Sequence, residues 1–128
     1  MTYFTVVPRR RNETTAHNNK RSFNPHVDII ENKDLFALEF DLPGINKDDV
    51  KISVNEGVLT VSGDRKREVA EDDEYFRHFE RAEGSFSRSF RLPEHVNGDD
   101  IKAAYTNGVL SLELPKREEA KPHTIEIK

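Results

Sequence analysis

Between Val27 and Pro115 apolar and polar residues alternate in short runs, at the period of two that sends successive side chains to opposite faces of a β-strand. Leu35 to Asp41 sets Phe36, Leu38 and Phe40 on one face; Lys51 to Asn55 sets Ile52 and Val54 inward. Val27 to Ile30, Val58 to Gly63 and Ser85 to Leu92 predict three further strands, the last with Phe86, Phe90 and Leu92 on one side. Asn32-Lys33-Asp34, Pro43-Gly44 and Asn55-Glu56-Gly57 supply turns between them. The clearest unit is Asp99 to Pro115, where the runs Ile101, Ala103, Tyr105 and Leu110, Leu112, Leu114 flank Asn107-Gly108. Asn-Gly tolerates the two positive φ angles of a type I′ turn, so this stretch predicts a β-hairpin, ended by Pro115, which has no N–H for the ladder. Short strands at this spacing suit an antiparallel sandwich better than a βαβ unit.

An echo runs through these elements. Leu42-Pro43-Gly44, Asp48-Asp49-Val50-Lys51 and Glu56-Gly57-Val58-Leu59 return as Leu92-Pro93-Glu94, Asp99-Asp100-Ile101-Lys102 and Asn107-Gly108-Val109-Leu110, offset by 50 and then 51 residues. Two similar units packed face to face would make a sandwich; common turn-and-strand chemistry would also produce the echo. One position breaks the pattern. Arg88 falls on the apolar face between Phe86 and Phe90, and a charge there needs a partner. Either the strand bulges, or Arg88 meets a carboxylate at a seam between strands or subunits.

Outside the alternating region the pattern changes. Residues 8 to 22 have neither period and almost no apolar content, so nothing there offsets the entropy of ordering them. Before them Tyr3, Phe4, Val6 and Val7 form a small apolar patch, either an inconsequential terminus or a contact site for other chains. Arg65 to Glu74 is a charge-dense loop leading to Tyr75-Phe76-Arg77-His78-Phe79, aromatics that seek a partner or fold back on the body. After Pro115 a polar tether ends in Thr124-Ile125-Glu126-Ile127-Lys128. Its two isoleucines share one face of an extended strand, forming a last strand of the same domain or a peg for another subunit's sheet edge.

Composition narrows the chemistry. The 128 residues fit one domain, 34% hydrophobic and 34% charged, which calls for an economical core and solvated arms. The net charge of −4 is uneven: residues 1 to 26 carry Arg9, Arg10, Arg11, Lys20 and Arg21 against Glu13 alone. With no cysteine there is no disulfide, thiolate catalysis or zinc-thiolate site. The first residues lack a basic n-region and no stretch approaches a membrane span, so a cytoplasmic protein is expected. The five histidines stand apart from one another, the acidic pairs lack a calcium loop, and no phosphate cradle or nucleophile elbow occurs. No enzyme, cofactor or metal is therefore expected. The acidic body would repel a nucleic-acid backbone, which leaves the basic arm at most a weak, salt-sensitive contact.

The chain resembles the small heat-shock protein family, of bacterial and plant-like type, whose shared unit is the α-crystallin domain. The resemblance is carried by Asp41-Leu42-Pro43-Gly44, Asn55-Glu56-Gly57-Val58-Leu59-Thr60-Val61, Gly84 to Pro93, Ala104-Tyr105-Thr106-Asn107-Gly108-Val109-Leu110 and Ile125-Glu126-Ile127. It implies an all-β, immunoglobulin-like antiparallel sandwich over residues 27–115, with a flexible basic arm over 1–26 and a tail over 116–128. It also implies an ATP-independent holdase for unfolding proteins, working as a homodimer that assembles further. Tyr75, Phe76, Arg77 and Arg88 would then belong to the dimer interface. Ile125 and Ile127 would anchor in a groove lined by Ile52, Val54, Ile101 and Ala103, with Phe4, Val6, Val7 and Phe23 exposed to clients. The alternative is a monomeric adaptor like the p23 and CS-domain co-chaperones.

Overall fold

The structure is a computed structural model that describes residues 4–7, 22–67, 78–117 and 125–127. Among the described residues eight strands form two antiparallel sheets: β1 (Thr5–Val6), β2 (Val27–Glu31), β3 (Leu35–Asp41), β4 (Val50–Asn55), β5 (Val58–Arg65), β6 (Gly84–Arg91), β7 (Lys102–Thr106) and β8 (Val109–Pro115). One sheet has the order β1-β6-β5-β4 and the other β2-β3-β8-β7. The expected all-β sandwich is thus present.

Alternation decides which side chains meet between the sheets. Phe36, Leu38 and Phe40 of β3 and Leu110, Leu112 and Leu114 of β8 are buried, facing Leu59 and Val61 of β5 and Phe86 and Phe90 of β6. The Phe40 and Phe90 rings meet edge to face across the layers, 5.8 Å between centroids. Leu42, Ile45 and Val96 close the ends of this core from the connecting loops. The interior strands β3, β5 and β8 carry the strictest alternation, because each has neighbours on both sides and the opposing sheet above it.

The echo in the sequence is a repeated structural unit. In each copy an asparagine side chain accepts a backbone N–H two residues on, Asn46 from Asp48 and Asn97 from Asp99. A single 3-10 turn follows, Lys47–Asp49 or Gly98–Asp100, and then a hairpin, β4-β5 or β7-β8. Both hairpins turn on two positive-φ residues, Glu56-Gly57 and Asn107-Gly108. The copies also bond each other reciprocally. The Leu42 N–H donates to the Gly108 carbonyl and the Leu92 N–H to the Gly57 carbonyl, each at 2.8 Å.

Several boundaries and faces differ from the sequence reading. β5 runs on to Arg65, past Gly63, since Gly63, Asp64 and Arg65 pair with Phe86, Ser85 and Gly84. In the hairpin from Asp99 to Pro115 only the leucine strand is fully inward: Ile101 and Tyr105 are half-buried and Ala103 is exposed, because β7 is the sheet's last strand. Val54, expected inward, is 40% exposed for the same reason on β4.

Candidate functional site

Each repeated unit places its first strand, β4 or β7, at the outer edge of its sheet. Both edges lie on the same side of the sandwich, and the space between them is a groove. One section, about 170 Å³, is lined by apolar Val50, Ile52, Tyr105 and Leu110 together with Ala103. The next, about 430 Å³, is lined by Ile52, Val54, Ile101 and Ala103 with Gly98 and Asp99. Ile52 and Ala103 border both sections, so the groove is continuous. The four residues expected to line an anchor site are therefore together. Tyr105 braces its floor by donating its hydroxyl hydrogen to the Leu42 carbonyl at 2.6 Å. Edge strands also offer unpaired backbone N–H and C=O groups, so an extended peptide could both bond and bury side chains here.

The expected occupants stand apart from it. Ile125 is 88% and Ile127 101% exposed, both outside the sandwich's own core. Such β-branched side chains left in water lack about 1.5–3 kcal/mol each that burial would return.

On the opposite side, where β6 faces β2, Arg88 occupies the inward position between Phe86 and Phe90. The register between β5 and β6 is continuous from Val58↔Arg91 to Arg65↔Gly84, so the strand does not bulge. Arg88 donates to the carbonyl of buried Pro25 at 3.3 Å, and its guanidinium lies 5.5 Å from the Phe90 ring centre. Among the described residues no carboxylate pairs with it. Tyr75, Phe76 and Arg77 lie outside the described residues. Beside this region β2 is an edge strand whose Ile30 is 55% exposed.

Of the apolar N-terminal patch, Tyr3 lies outside the described residues, and the stretch from Phe4 to Val7 is built into the sheet. Thr5 and Val6 pair with Arg91 and Phe90, and the Val7 N–H donates to the Ser89 carbonyl at 3.1 Å. Phe4 packs edge to face on Phe36 with centroids 4.5 Å apart, so it is half-buried rather than free. Val6 and Val7 remain exposed, while Phe23 is half-buried against Phe86.

Arg65, read from sequence as part of a charged loop, is instead a junction. Its Nε and Nη2 donate to the Ala82 carbonyl, its Nη1 to the Pro43 carbonyl at 3.2 Å, and its guanidinium lies 4.4 Å over the Phe23 ring. Burial, and then the neighbouring Arg81 charge, lower its pKa from the ordinary arginine value. Nothing in the run Arg65-Lys66-Arg67 distinguishes it beforehand, because its partners are backbone carbonyls 17 and 22 residues away.

Among the described residues no three His, Cys, Asp or Glu side chains gather as a metal site, and no helix is long and apolar enough to cross a membrane. Fold and groove together define a β-sandwich whose two edge strands, β4 and β7, border an apolar groove. The sequence profile of the Hsp20/alpha crystallin family matches residues 28–128, and the chain belongs to that family. The chain is 42% identical to spore protein SP21 of Stigmatella aurantiaca over 106 residues, 83% of this chain and 63% of that protein. It is 44% identical to a 17.6 kDa class I heat shock protein of Helianthus annuus over 99 residues, 77% of this chain and 65% of that one. The chain thus spans somewhat under two thirds of these relatives. A small heat-shock protein of Xylella fastidiosa, whose crystal structure is described as a distinct high order structure, superposes with a TM-score of 0.69 at 40% identity, covering 81% of this chain and 95% of that one.

Proposed function

We propose that the protein is an ATP-independent holdase that keeps unfolding proteins from aggregating and works as a dimer-based homo-oligomer in the cytoplasm. The observation that carries this reading is the pairing of an apolar groove between β4 and β7 with two exposed isoleucines at the end of the same chain. Ile125 and Ile127 dock in the groove of another copy, against Ile52, Val54, Ile101 and Ala103. Residues 27–115 are then the α-crystallin domain, 1–26 the arm and 116–128 the anchoring tail. The seam beside Arg88 and the edge of β2 is the dimer interface, to which Tyr75, Phe76 and Arg77 contribute. Phe4, Val6, Val7 and Phe23 meet clients, Phe4 and Phe23 only after leaving the core they now touch.

Changing Ile125 and Ile127 together to Gly tests the reading, with mass followed by light scattering and heat-induced aggregation of a client followed alongside. The mass falls toward a dimer in the variant. An unchanged mass overturns tail docking. A wild-type chain that is monomeric and leaves the client unprotected favours the p23-like adaptor instead.

A further inference from the structure

Away from the groove, the connection between β5 and β6 leaves and returns through a cluster of cations. Arg65, Lys66 and Arg67 stand on the outgoing side, Arg81 on the returning side, and with Gly44, Ala82 and Glu83 they line a depression of about 390 Å³. Among the described residues Glu83 is the one carboxylate in that lining, and it pairs with Arg67 at 2.9 Å.

The four cations are not equivalent. Arg65 spends its donors on the Ala82 and Pro43 carbonyls. Arg67 is fixed by Glu83, by the Arg81 carbonyl at 3.0 Å and by the Phe79 ring, whose centre lies 3.6 Å from its guanidinium. Lys66 and Arg81 make no side-chain hydrogen bond or ion pair among the described residues. Arg81 reaches across Gly44, where a Cβ would stand 2.7 Å from its Nη2, and Gly44 has φ +73°. Glycine at that turn therefore both permits the backbone and leaves room for the guanidinium. Two fixed cations thus hold a scaffold on which two uncommitted ones converge.

We propose that this depression is an anion site for a phosphoryl-type polyanion, held by Arg81 and Lys66 with Arg65 and Arg67 setting the surrounding field. A compact oxyanion with two or more charges matches it best. Among the described residues the lining carries three positive charges in excess, which one carboxylate would leave mostly unbalanced, and a guanidinium fork suits paired phosphoryl oxygens. The position is an exception on a body that is otherwise acidic, so bulk attraction does not explain it. A bound anion would bridge the two ends of the β5-β6 connection and remove the repulsion between Arg65 and Arg81. The proposal holds whether or not the chain assembles.

Inorganic triphosphate is the probe, titrated calorimetrically into the full chain at low salt and again at physiological salt. One saturable site per chain is expected, with a raised melting temperature as the linked effect of binding the folded state. Arg81→Gln and the exposed Lys66→Gln each weaken binding about tenfold, the loss of one charge-assisted contact. Lys51→Gln, on β4, leaves it unchanged. A nucleoside triphosphate that binds as tightly as inorganic triphosphate assigns the site to the phosphates alone, and a tighter one assigns it to nucleotides; both support the site. The proposal is overturned by an absence of saturable binding, as carboxylates of the chain filling the depression would produce. Wild-type affinity in both pocket variants, or equal weakening by Lys51→Gln, also overturns it. Circular dichroism identifies a variant that fails to fold, and Lys66→Gln, on an exposed side chain, carries the test if Arg81→Gln does so.

Discussion

Gly63 shows how much a single hydrogen atom can decide in this sandwich. A Cβ there would press on the Asp49 carbonyl oxygen and stand 2.9 Å from the buried Phe86 ring. Neither neighbour is the loose end of a flexible side chain, so relief requires a backbone shift or a displaced ring. Gly63→Ala therefore destabilises by about 1–3 kcal/mol, the usual cost of overpacking. Thermal unfolding should register a loss of several degrees, and a melting temperature within a degree of wild type would mean that this wall yields. The sequence marks Gly63 as a glycine at a strand end and nothing more. Asn107-Gly108 is different, since its conformational demand is local and is written in two adjacent residues. Gly63 and Arg65 answer to atoms far along the chain, and no local pattern encodes them.

At the scale of elements, legibility follows length and neighbours. β3, β5 and β8 were readable because several consecutive alternations serve one buried face. β1 has two residues, too few to show a period, and its place on β6 depends on Phe4 finding Phe36. The Arg88 position is readable as an anomaly: the continuous β5-β6 register excludes the bulge, and among the described residues its guanidinium meets the Pro25 carbonyl rather than a carboxylate of its own chain. Val7→Pro isolates the contribution of β1. It deletes the N–H that donates to the Ser89 carbonyl, and with it one tie between the N-terminal strand and β6, leaving the Thr5↔Arg91 and Val6↔Phe90 pairing and the Phe4 ring to hold β1. Losing 1–2 kcal/mol of local stability corresponds to roughly five- to thirtyfold more opening. Hydrogen exchange should accelerate by that factor along residues 84–91 while the β7-β8 hairpin keeps its protection. Uniform acceleration in both sheets would instead make β1 part of the global folding unit.

For the whole molecule the balance of magnitudes matters more than any one contact. Under the proposed docking, burying two isoleucines contributes about 1.5–3 kcal/mol each, while ordering each tether residue costs about 1–2 kcal/mol. One tail in one groove is then weak, and an assembly held by many such contacts owes its lifetime to multivalency. Its mass should therefore fall as the protein is diluted through the micromolar range, measured by light scattering or sedimentation. A mass constant on dilution would point to an interface much larger than the groove. Four of the groove's lining residues, Ile52, Val54, Ile101 and Ala103, are legible as a set only through the family resemblance, which does not extend to Val50, Tyr105 and Leu110. Periodicity alone reads Ile52 and Val54 as core, because it cannot tell an edge strand from a central one.

The position of β8 has a consequence for how the molecule is made. β3 pairs with β8, joining residues 35–41 to residues 109–115, and β8 also carries β7 on its other side. Phe36, Leu38 and Phe40 thus wait for a strand synthesised some 70 residues later, and closing so long a loop is slow compared with forming a local hairpin. A chain emerging from the ribosome can form β4-β5 early, but the sheet containing β3 stays incomplete until Pro115 has cleared the exit tunnel. During synthesis this chain therefore exposes its own phenylalanines and leucines to solvent.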